Sequence, residues 1–168
     1  LEKAIEKQKA LIEKRSSYAR PEWYAQLANL YNKNGQFAEA IAAAKRALEI
    51  KKTATGFHNL GYAYQGKKQY HNALAAYRKA LQLEQDPVTF SQVGHVYLAL
   101  MDYGSALTNF KEASKLDPRN DVYLLLISIC HYRMGQYEDA LDAINKAISA
   151  FSYGTLGMKV KVKKVYAK

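Results

Sequence analysis

The stretch HNLGYAYQGKKQYHNAL, residues 58–74, places a glycine where its neighbours predict a helix. Apolar residues recur at helical spacing on both sides of Gly61. A glycine inside a helix costs about 1 kcal/mol relative to alanine. The stretch therefore raises the question of why position 61 has no side chain.

Six positions around this glycine recur in four copies along the chain. The period is 33 or 34 residues, as read from the alanines Ala40, Ala73, Ala106 and Ala140. Each copy has an aromatic residue three places earlier and a second alanine seven places later. The position of Gly61 is always small, being filled by Ala28, Gly61, Gly94 and Ser128. A fixed period in this range indicates a stacked repeat architecture.

Each copy contains two helical patterns separated by a short turn. Copy two has one apolar face with the spacing i, i+3, i+4, i+7 before its turn and another after it. Two helices joined by so short a turn pack side by side. We interpret the small position as the place where their backbones approach each other, so that close packing offsets the propensity lost at Gly61.

The pattern resembles the tetratricopeptide repeat. The motifs that carry the resemblance are Tyr24-Leu27-Ala28-Tyr31, Phe57-Leu60-Gly61-Tyr64, Phe90-Val93-Gly94-Tyr97, Leu124-Ile127-Ser128-His131 and the junction KLDPRN at 115–120. They cover about residues 21 to 153, and copy four departs most, with His131 and Ser128. The resemblance implies an all-α, right-handed α-solenoid of antiparallel helix pairs.

We divide the chain by this register. Residues 1–20 are expected to hold the second helix of a preceding, partial repeat, and the repeats then occupy 21–53, 54–86, 87–120 and 121–153. Residues 154–168 are interpreted as a basic capping helix against Leu141, Ile144 and Ile148, or else as a tail. The chain opens within a helical pattern and without methionine, so we expect a segment of a longer protein.

The net charge of +10 is uneven along the chain. Residues 1–20 carry +3, residues 21–86 carry +4, residues 87–153 carry −2 and residues 154–168 carry +5. The basic ends leave open a second hypothesis, the binding of nucleic acid or another polyanion. The favoured interpretation is a solvated helix and a charged end. A third hypothesis is self-assembly by end-to-end stacking of exposed repeats.

The family resemblance implies a concave face lined by the first helix of each repeat, where a peptide or helix of a partner protein would bind. The residues expected to line it and to contact the partner are Asn29, Lys33, His58, Asn59, Tyr62, Gln65, Gln92, His95, Leu125, Ile129, Tyr132 and Arg133. Amides at one end can donate to and accept from a peptide backbone. Apolar side chains at the other end suit an apolar anchor. Asn59 and Tyr62 are expected to be partly exposed.

One subtype of the family binds chaperone tails by clamping a terminal carboxylate. Asn29 and Asn59 match its asparagine positions, but the cationic positions hold Ala25, Val88 and Gln92. Without the clamp charges, binding of an acidic tail at this place is not expected.

The sequence offers little for catalysis. It has no glycine-rich phosphate loop, and its histidines His58, His71, His95 and His131 lack metal-ligand spacing. We therefore expect a non-enzymatic protein without cofactor or metal. No apolar run is long enough for a membrane span. The single cysteine, Cys130, excludes an internal disulfide and favours a reducing, cytoplasmic compartment.

Overall fold

A computed structural model describes residues 1–14 and 20–154, with only the backbone for residues 150–154. This part of the chain forms nine α-helices and no strand, which confirms the all-α class. The helices are α1 (Glu2–Lys14), α2 (Pro21–Lys33), α3 (Phe37–Ile50), α4 (Ala54–Gly66), α5 (Tyr70–Leu83), α6 (Pro87–Ala99), α7 (Tyr103–Leu116), α8 (Val122–Arg133) and α9 (Tyr137–Gly154). None of these helices is both long and apolar enough to cross a bilayer.

The helices from α2 onward pack in four pairs, in each of which a first helix precedes a second helix. The pairs are α2 with α3, α4 with α5, α6 with α7 and α8 with α9. A turn of three residues joins the two helices of each pair, at 34–36, 67–69, 100–102 and 134–136. Each second helix also contacts the next first helix, so the pairs form a continuous stack. The chain is a helical-repeat solenoid.

The four turns share one hydrogen-bonding arrangement. In the first of them, the amide of Gln36 donates to the Tyr31 carbonyl at 2.9 Å and the amide of Gly35 donates to the Asn32 carbonyl at 3.1 Å. This pair of bonds satisfies carbonyls at the end of the helix and requires a left-handed residue between them. That residue is in turn Gly35, Lys68, Met101 and Gly135, with φ of +74°, +58°, +58° and +76°.

The first helices α2, α4 and α6 begin at a proline or at a side chain that caps the helix N-terminus. Pro21 and Pro87 start α2 and α6, where the missing N–H costs no hydrogen bond. The Thr53 hydroxyl accepts from the Gly56 amide at 3.1 Å, and the Asp86 carboxylate accepts from the Thr89 amide at 2.7 Å. These caps fix the start of α4 and α6 and so set the register of the side chains along both helices.

Gly61 lies against a buried tyrosine of the second helix. A Cβ atom at position 61 would lie 2.7 Å from the Tyr77 ring, which is completely buried. Gly94 stands in the same relation to Phe110, with 2.6 Å between a Cβ and the ring. In the first pair the equivalent residues are Ala28 and Ala44, both at 0% exposure. The small position is confirmed as a tight contact within the helix pair, but at Gly61 and Gly94 it is the ring of the second helix, and not its backbone, that approaches.

Helix α1 packs on α2 much as α3 packs on α4. Its Ile5 and Ile12 belong to the same core cluster as Leu27, and the Gln8 amide donates to the Trp23 carbonyl at 2.9 Å. We keep the division of the chain into repeats as an interpretation. The predicted capping segment lies, from residue 155 onward, outside the described residues.

Neighbouring first helices contact each other directly, α2 with α4 and α4 with α6. The Asn59 amide donates to the Ala25 carbonyl at 2.9 Å, and the Asn32 amide donates to the Asn59 carbonyl at 2.9 Å. These bonds hold α2 and α4 side by side. The exposed surface of α2, α4, α6 and α8 corresponds to the face expected to be concave, and we refer to it as the concave face.

Candidate functional site

A first groove of about 550 Å³ lies between α2 and α4. It is lined by Pro21, Glu22, Ala25, Gln26, Asn29, Thr53, Thr55, His58 and Asn59. Gln26, Asn29 and Thr55 are exposed there and provide donors and acceptors. The Glu22 carboxylate is the one charged lining group in this groove as described. The groove therefore suits a neutral or basic group better than an acidic one.

A second groove of about 580 Å³ spans the other end of α4 and α6. It is lined by Phe37, Tyr62, Gln65, Gly66, Lys68, Tyr70, Gln92, His95 and Ala99. The buried Tyr77 hydroxyl donates to Gln65 Oε1 at 2.8 Å. Because Gln65 Oε1 is already used, the amide N–H groups of Gln65 remain for a ligand.

His58 is held by a hydrogen-bond relay between α4 and α6. The Thr89 hydroxyl donates to Asp86 Oδ2 at 2.7 Å. It therefore accepts from His58 Nδ1, which lies 2.8 Å away. Burial lowers the pKa of His58, and the Asp86 carboxylate offsets part of that effect. The imidazole is neutral near pH 7 and packs edge-on against Tyr77.

His95 lies on the wall of the second groove and is also partly buried. Its ring packs edge-on against Phe110 at 5.3 Å between ring centroids. Burial lowers the pKa of His95. Both grooves thus contain an uncharged imidazole whose position is fixed by an aromatic residue of the second helix.

The concave face becomes apolar at α8. Leu125, Ile129 and Tyr132 follow one another at helical spacing and are 46%, 46% and 63% exposed. Exposed apolar residues in a contiguous patch on one face indicate an interaction surface more often than scattered ones do. These three residues form the α8 stripe.

Two family models match the chain. Residues 22–58 match the tetratricopeptide repeat, and residues 66–147 match subunit 3 of the anaphase-promoting complex, or cyclosome. The chain belongs to the tetratricopeptide-repeat family. A search of curated protein sequences gives no match.

Solved structures agree with the helical-repeat fold. A crystal structure of MamA superposes with a TM-score of 0.80 at 18% identity, covering 90% of this chain and 88% of that one. MamA 41-end from Desulfovibrio magneticus RS-1 gives 0.79 at 18% identity, covering 90% and 86%. The APC/C hetero-tetramer Cut9-Hcn1 gives 0.75 at 17% identity, covering 90% of this chain and 30% of that one. At these identities the similarity shows the fold alone.

The prediction that Asn59 is partly exposed is wrong. Asn59 is only 6% exposed, because its side chain reaches the Ala25 carbonyl of the preceding first helix. Tyr62 is exposed as expected, at 38%. Asn59 therefore uses its amide to hold the stack together.

Most of the remaining predicted residues fall into three places. Asn29 and His58 line the first groove, and Tyr62, Gln65, Gln92 and His95 line the second. Leu125, Ile129 and Tyr132 form the α8 stripe. Lys33 is exposed at the end of α2, outside both groove linings.

Arg133 is directed at a neighbouring second helix. Its guanidinium donates to the Tyr103 hydroxyl through Nη2 at 3.1 Å and lies over the Tyr103 ring. Arg133, expected to contact a partner on the concave face, thus joins α8 to the start of α7.

Sequence reasoning missed Glu22 and Thr55 in the first groove. Both stand in the repeat register of Val88, a position considered only for a clamp cation. The same register would have identified them as lining residues. The clamp positions themselves, Ala25 and Asn29, do lie in this groove.

The described chain presents no evident reactive centre. Within it, no three His, Cys, Asp or Glu side chains come together in a way that could hold a metal ion. Cys130 is completely buried, and burial raises the pKa of its thiol to about 11. A thiol in that state is a poor nucleophile.

Proposed function

We propose that this protein is a non-catalytic scaffold that binds an extended peptide or a helix of a partner protein on its concave face. Proteins of the tetratricopeptide-repeat fold generally mediate protein–protein interactions. The observation that carries the proposal is the position of two grooves and the α8 stripe on the same set of first helices.

The grooves offer the chemistry that a peptide backbone needs. Asn29 and the amide of Gln65 present donors to the solvent side, and Gln92 lines the same groove as Gln65. A side-chain amide can donate to a peptide carbonyl and accept from the peptide N–H. Tyr62 adds a rigid aromatic surface at the edge of the second groove, which is the residue type that dominates many interfaces.

The α8 stripe offers an apolar anchor site. Leu125, Ile129 and Tyr132 have the spacing with which one helix presents an apolar face to another. Burial of apolar surface contributes about 25 cal/mol per Å². A partner segment with one or two large apolar residues at one end and a neutral or basic stretch at the other therefore matches the face.

Peptide selection followed by substitution tests this proposal. A random peptide library is panned against the whole chain, and the affinity of selected peptides is measured by titration calorimetry. Tyr62→Ala and Ile129→Ala should each weaken binding by about tenfold, or ~1.4 kcal/mol. Leu83→Ala is the matched control, because Leu83 is 54% exposed but lies on the second helix α5. Equal losses in all three variants would refute a concave binding face.

Salt separates this proposal from the binding of a polyanion at the basic ends. Affinity for RNA falls steeply with salt because each neutralised phosphate releases counterions. Peptide binding by amides and apolar contacts should change little between low and high salt. The polyanion hypothesis gains if RNA binds tightly at physiological salt and no selected peptide responds to Tyr62→Ala.

A further inference from the structure

The hydrogen bonds that hold His58 also determine which of its ring nitrogens carries the proton. A carboxylate only accepts hydrogen bonds, so the Thr89 hydroxyl donates its single proton to Asp86 Oδ2. The hydroxyl can then only accept from His58, and the proton of the neutral ring therefore lies on Nδ1. His58 Nε2 is left with a lone pair and is a hydrogen-bond acceptor.

This acceptor has no partner within the described part of the chain. The ring is hydrogen-bonded there through Nδ1, to Thr89 of α6. Among the described residues, the buried side-chain polar atom without a partner is Asn32 Oδ1, so His58 Nε2 is not enclosed in the core. Because Nδ1 is turned toward α6, the ring edge that carries Nε2 is the one available to the groove between α2 and α4, which His58 lines.

The acceptor is also fixed in place and in charge. The Tyr77 ring packs edge-on against the imidazole, with 5.7 Å between the ring centroids. Burial lowers the pKa of His58, so the ring keeps its lone pair at neutral pH. A group that is already held in position loses little conformational freedom when a ligand binds.

The opposite wall of the first groove supplies a negative charge. The Glu22 carboxylate on α2 is exposed and, like His58 Nε2, accepts hydrogen bonds. No lysine or arginine belongs to the lining of this groove as described. The other exposed polar lining residues can accept as well as donate, and they are Gln26, Asn29 and Thr55. A ligand that fits this lining is a hydrogen-bond donor with a positive charge.

We propose that the first groove binds an arginine side chain of the partner segment. A guanidinium has five N–H donors in a planar fork, so it can donate to acceptors on two walls, Glu22 on α2 and His58 on α4. Its methylene stem would lie against Pro21 and Ala25, which line the same groove. The inference rests on the proposed function and adds to it the residue type that this groove selects.

An NMR titration of the whole chain with small probes tests this site. The first probe is Nα-acetyl-L-argininamide, and the second is Nα-acetyl-L-citrullinamide, which has nearly the same shape without the charge. We expect argininamide to shift the amide signals of Asn29, Thr55 and His58, together with the His58 Nε2 signal. It should bind about tenfold more tightly than citrullinamide, because charge-assisted hydrogen bonds are about twice as strong as neutral ones. Nα-acetyl-L-lysinamide should bind more weakly than argininamide, because an ammonium lacks the planar fork.

Charge removal locates the binding. Glu22→Gln should weaken argininamide binding about tenfold, since it replaces the carboxylate by a neutral amide at an exposed position. Glu138→Gln is the matched control, because it removes the same charge from the exposed surface of α9 and should leave the affinity unchanged. In the free protein, the 15N signals of the His58 ring should show a protonated Nδ1 and a bare Nε2.

Several results would overturn the proposal. They are the absence of shifts at the groove residues, equal binding of argininamide and citrullinamide, and equal effects of Glu22→Gln and Glu138→Gln. A 15N spectrum that places the His58 proton on Nε2 would remove the acceptor, and tighter binding of lysinamide would assign the groove to an ammonium group. The proposed function fails separately. Selected peptides that respond to Tyr62→Ala, in a chain that does not bind argininamide, would keep the concave face and refute the arginine site.

Discussion

At the scale of single residues, a large ring on the second helix is accommodated by a glycine on the first. Gly61 faces Tyr77 and Gly94 faces Phe110, whereas repeat one pairs two fully buried alanines, Ala28 and Ala44. Where the ring is present, the small position has no room for added volume.

Substitution of Gly61 tests this packing. Gly61→Leu should lower the free energy of unfolding by ~1–3 kcal/mol or more, because its side chain would overlap the buried Tyr77 ring. Gly104→Leu is the matched control, since a Cβ there meets only Asp102 Oδ1 at 3.9 Å. Leucine's higher helix propensity favours the control by about 1 kcal/mol. Thermal melts that show a raised midpoint for both variants would contradict the packing explanation.

The turns contain two strained residues. Lys68 and Met101 adopt φ of +58°, where repeats one and four have glycine. Met101→Gly should therefore raise the free energy of unfolding by about 1 kcal/mol, because a left-handed conformation costs roughly 1–2 kcal/mol for a residue with a side chain. Urea denaturation measures the change, and Gly35→Ala should lower stability by a similar amount. A destabilised Met101→Gly would show that the side chain contributes more than the strain costs.

The partly buried histidines predict a pH dependence. Burial lowers the pKa of His58 and His95, so the folded state binds fewer protons than the unfolded state below about pH 6.5. Stability is therefore complete above this pH and decreases as the pH falls further. His58→Gln should reduce the slope of unfolding free energy against pH. His71→Gln, at an exposed site, is the control, and an equal effect of both variants would refute the assignment.

At the scale of elements, two first helices are joined by Asn59, a residue that the sequence analysis predicted to contact a ligand. Asn59 lies on the concave side of α4, yet its amide bonds the Ala25 carbonyl of α2. The periodicity identifies which side of a helix a residue is on. It does not give the distance to the neighbouring helix, and that distance decides whether an amide meets a ligand or the stack.

Asn59→Ala should consequently act on stability. Loss of the bond to the Ala25 carbonyl at a buried site should cost ~1–3 kcal/mol. Asn29→Ala, at an exposed position of α2, should change the free energy of unfolding by less than about 0.5 kcal/mol. Chemical denaturation followed by circular dichroism gives both values. Equal stabilities would mean that the hydrogen bond between α2 and α4 contributes nothing to the stack.

Much of the architecture could be predicted because the repeat supplies the same information four times. The small position and the short turns lie where the register puts them. Glu22, Arg133 and Asn59 were harder because each depends on a contact between repeats. Such contacts follow from the angle at which successive pairs stack, and no residue spacing encodes that angle.

At the scale of the whole molecule, the buried residues of the first helices pack the stack, and their exposed residues form the surface proposed to bind a partner. Asn59, Leu60 and Gly61 are buried in the stack, whereas the exposed residues of the first helices include lining residues of the first groove and the α8 stripe. Because neighbouring repeats share one core, stability is approximately a sum over repeats and their interfaces. Changes on the exposed face should therefore alter binding without unfolding the solenoid.

Crosslinking tests most directly whether a partner segment lies along the concave face, as proposed. A peptide selected against the chain is synthesised with a photoreactive residue at successive positions, and the crosslinked sites are identified by mass spectrometry. We predict crosslinks to α2, α4, α6 and α8, progressing along the stack with the position of the probe. Crosslinks confined to the exposed surfaces of α3, α5 and α7 would contradict the account.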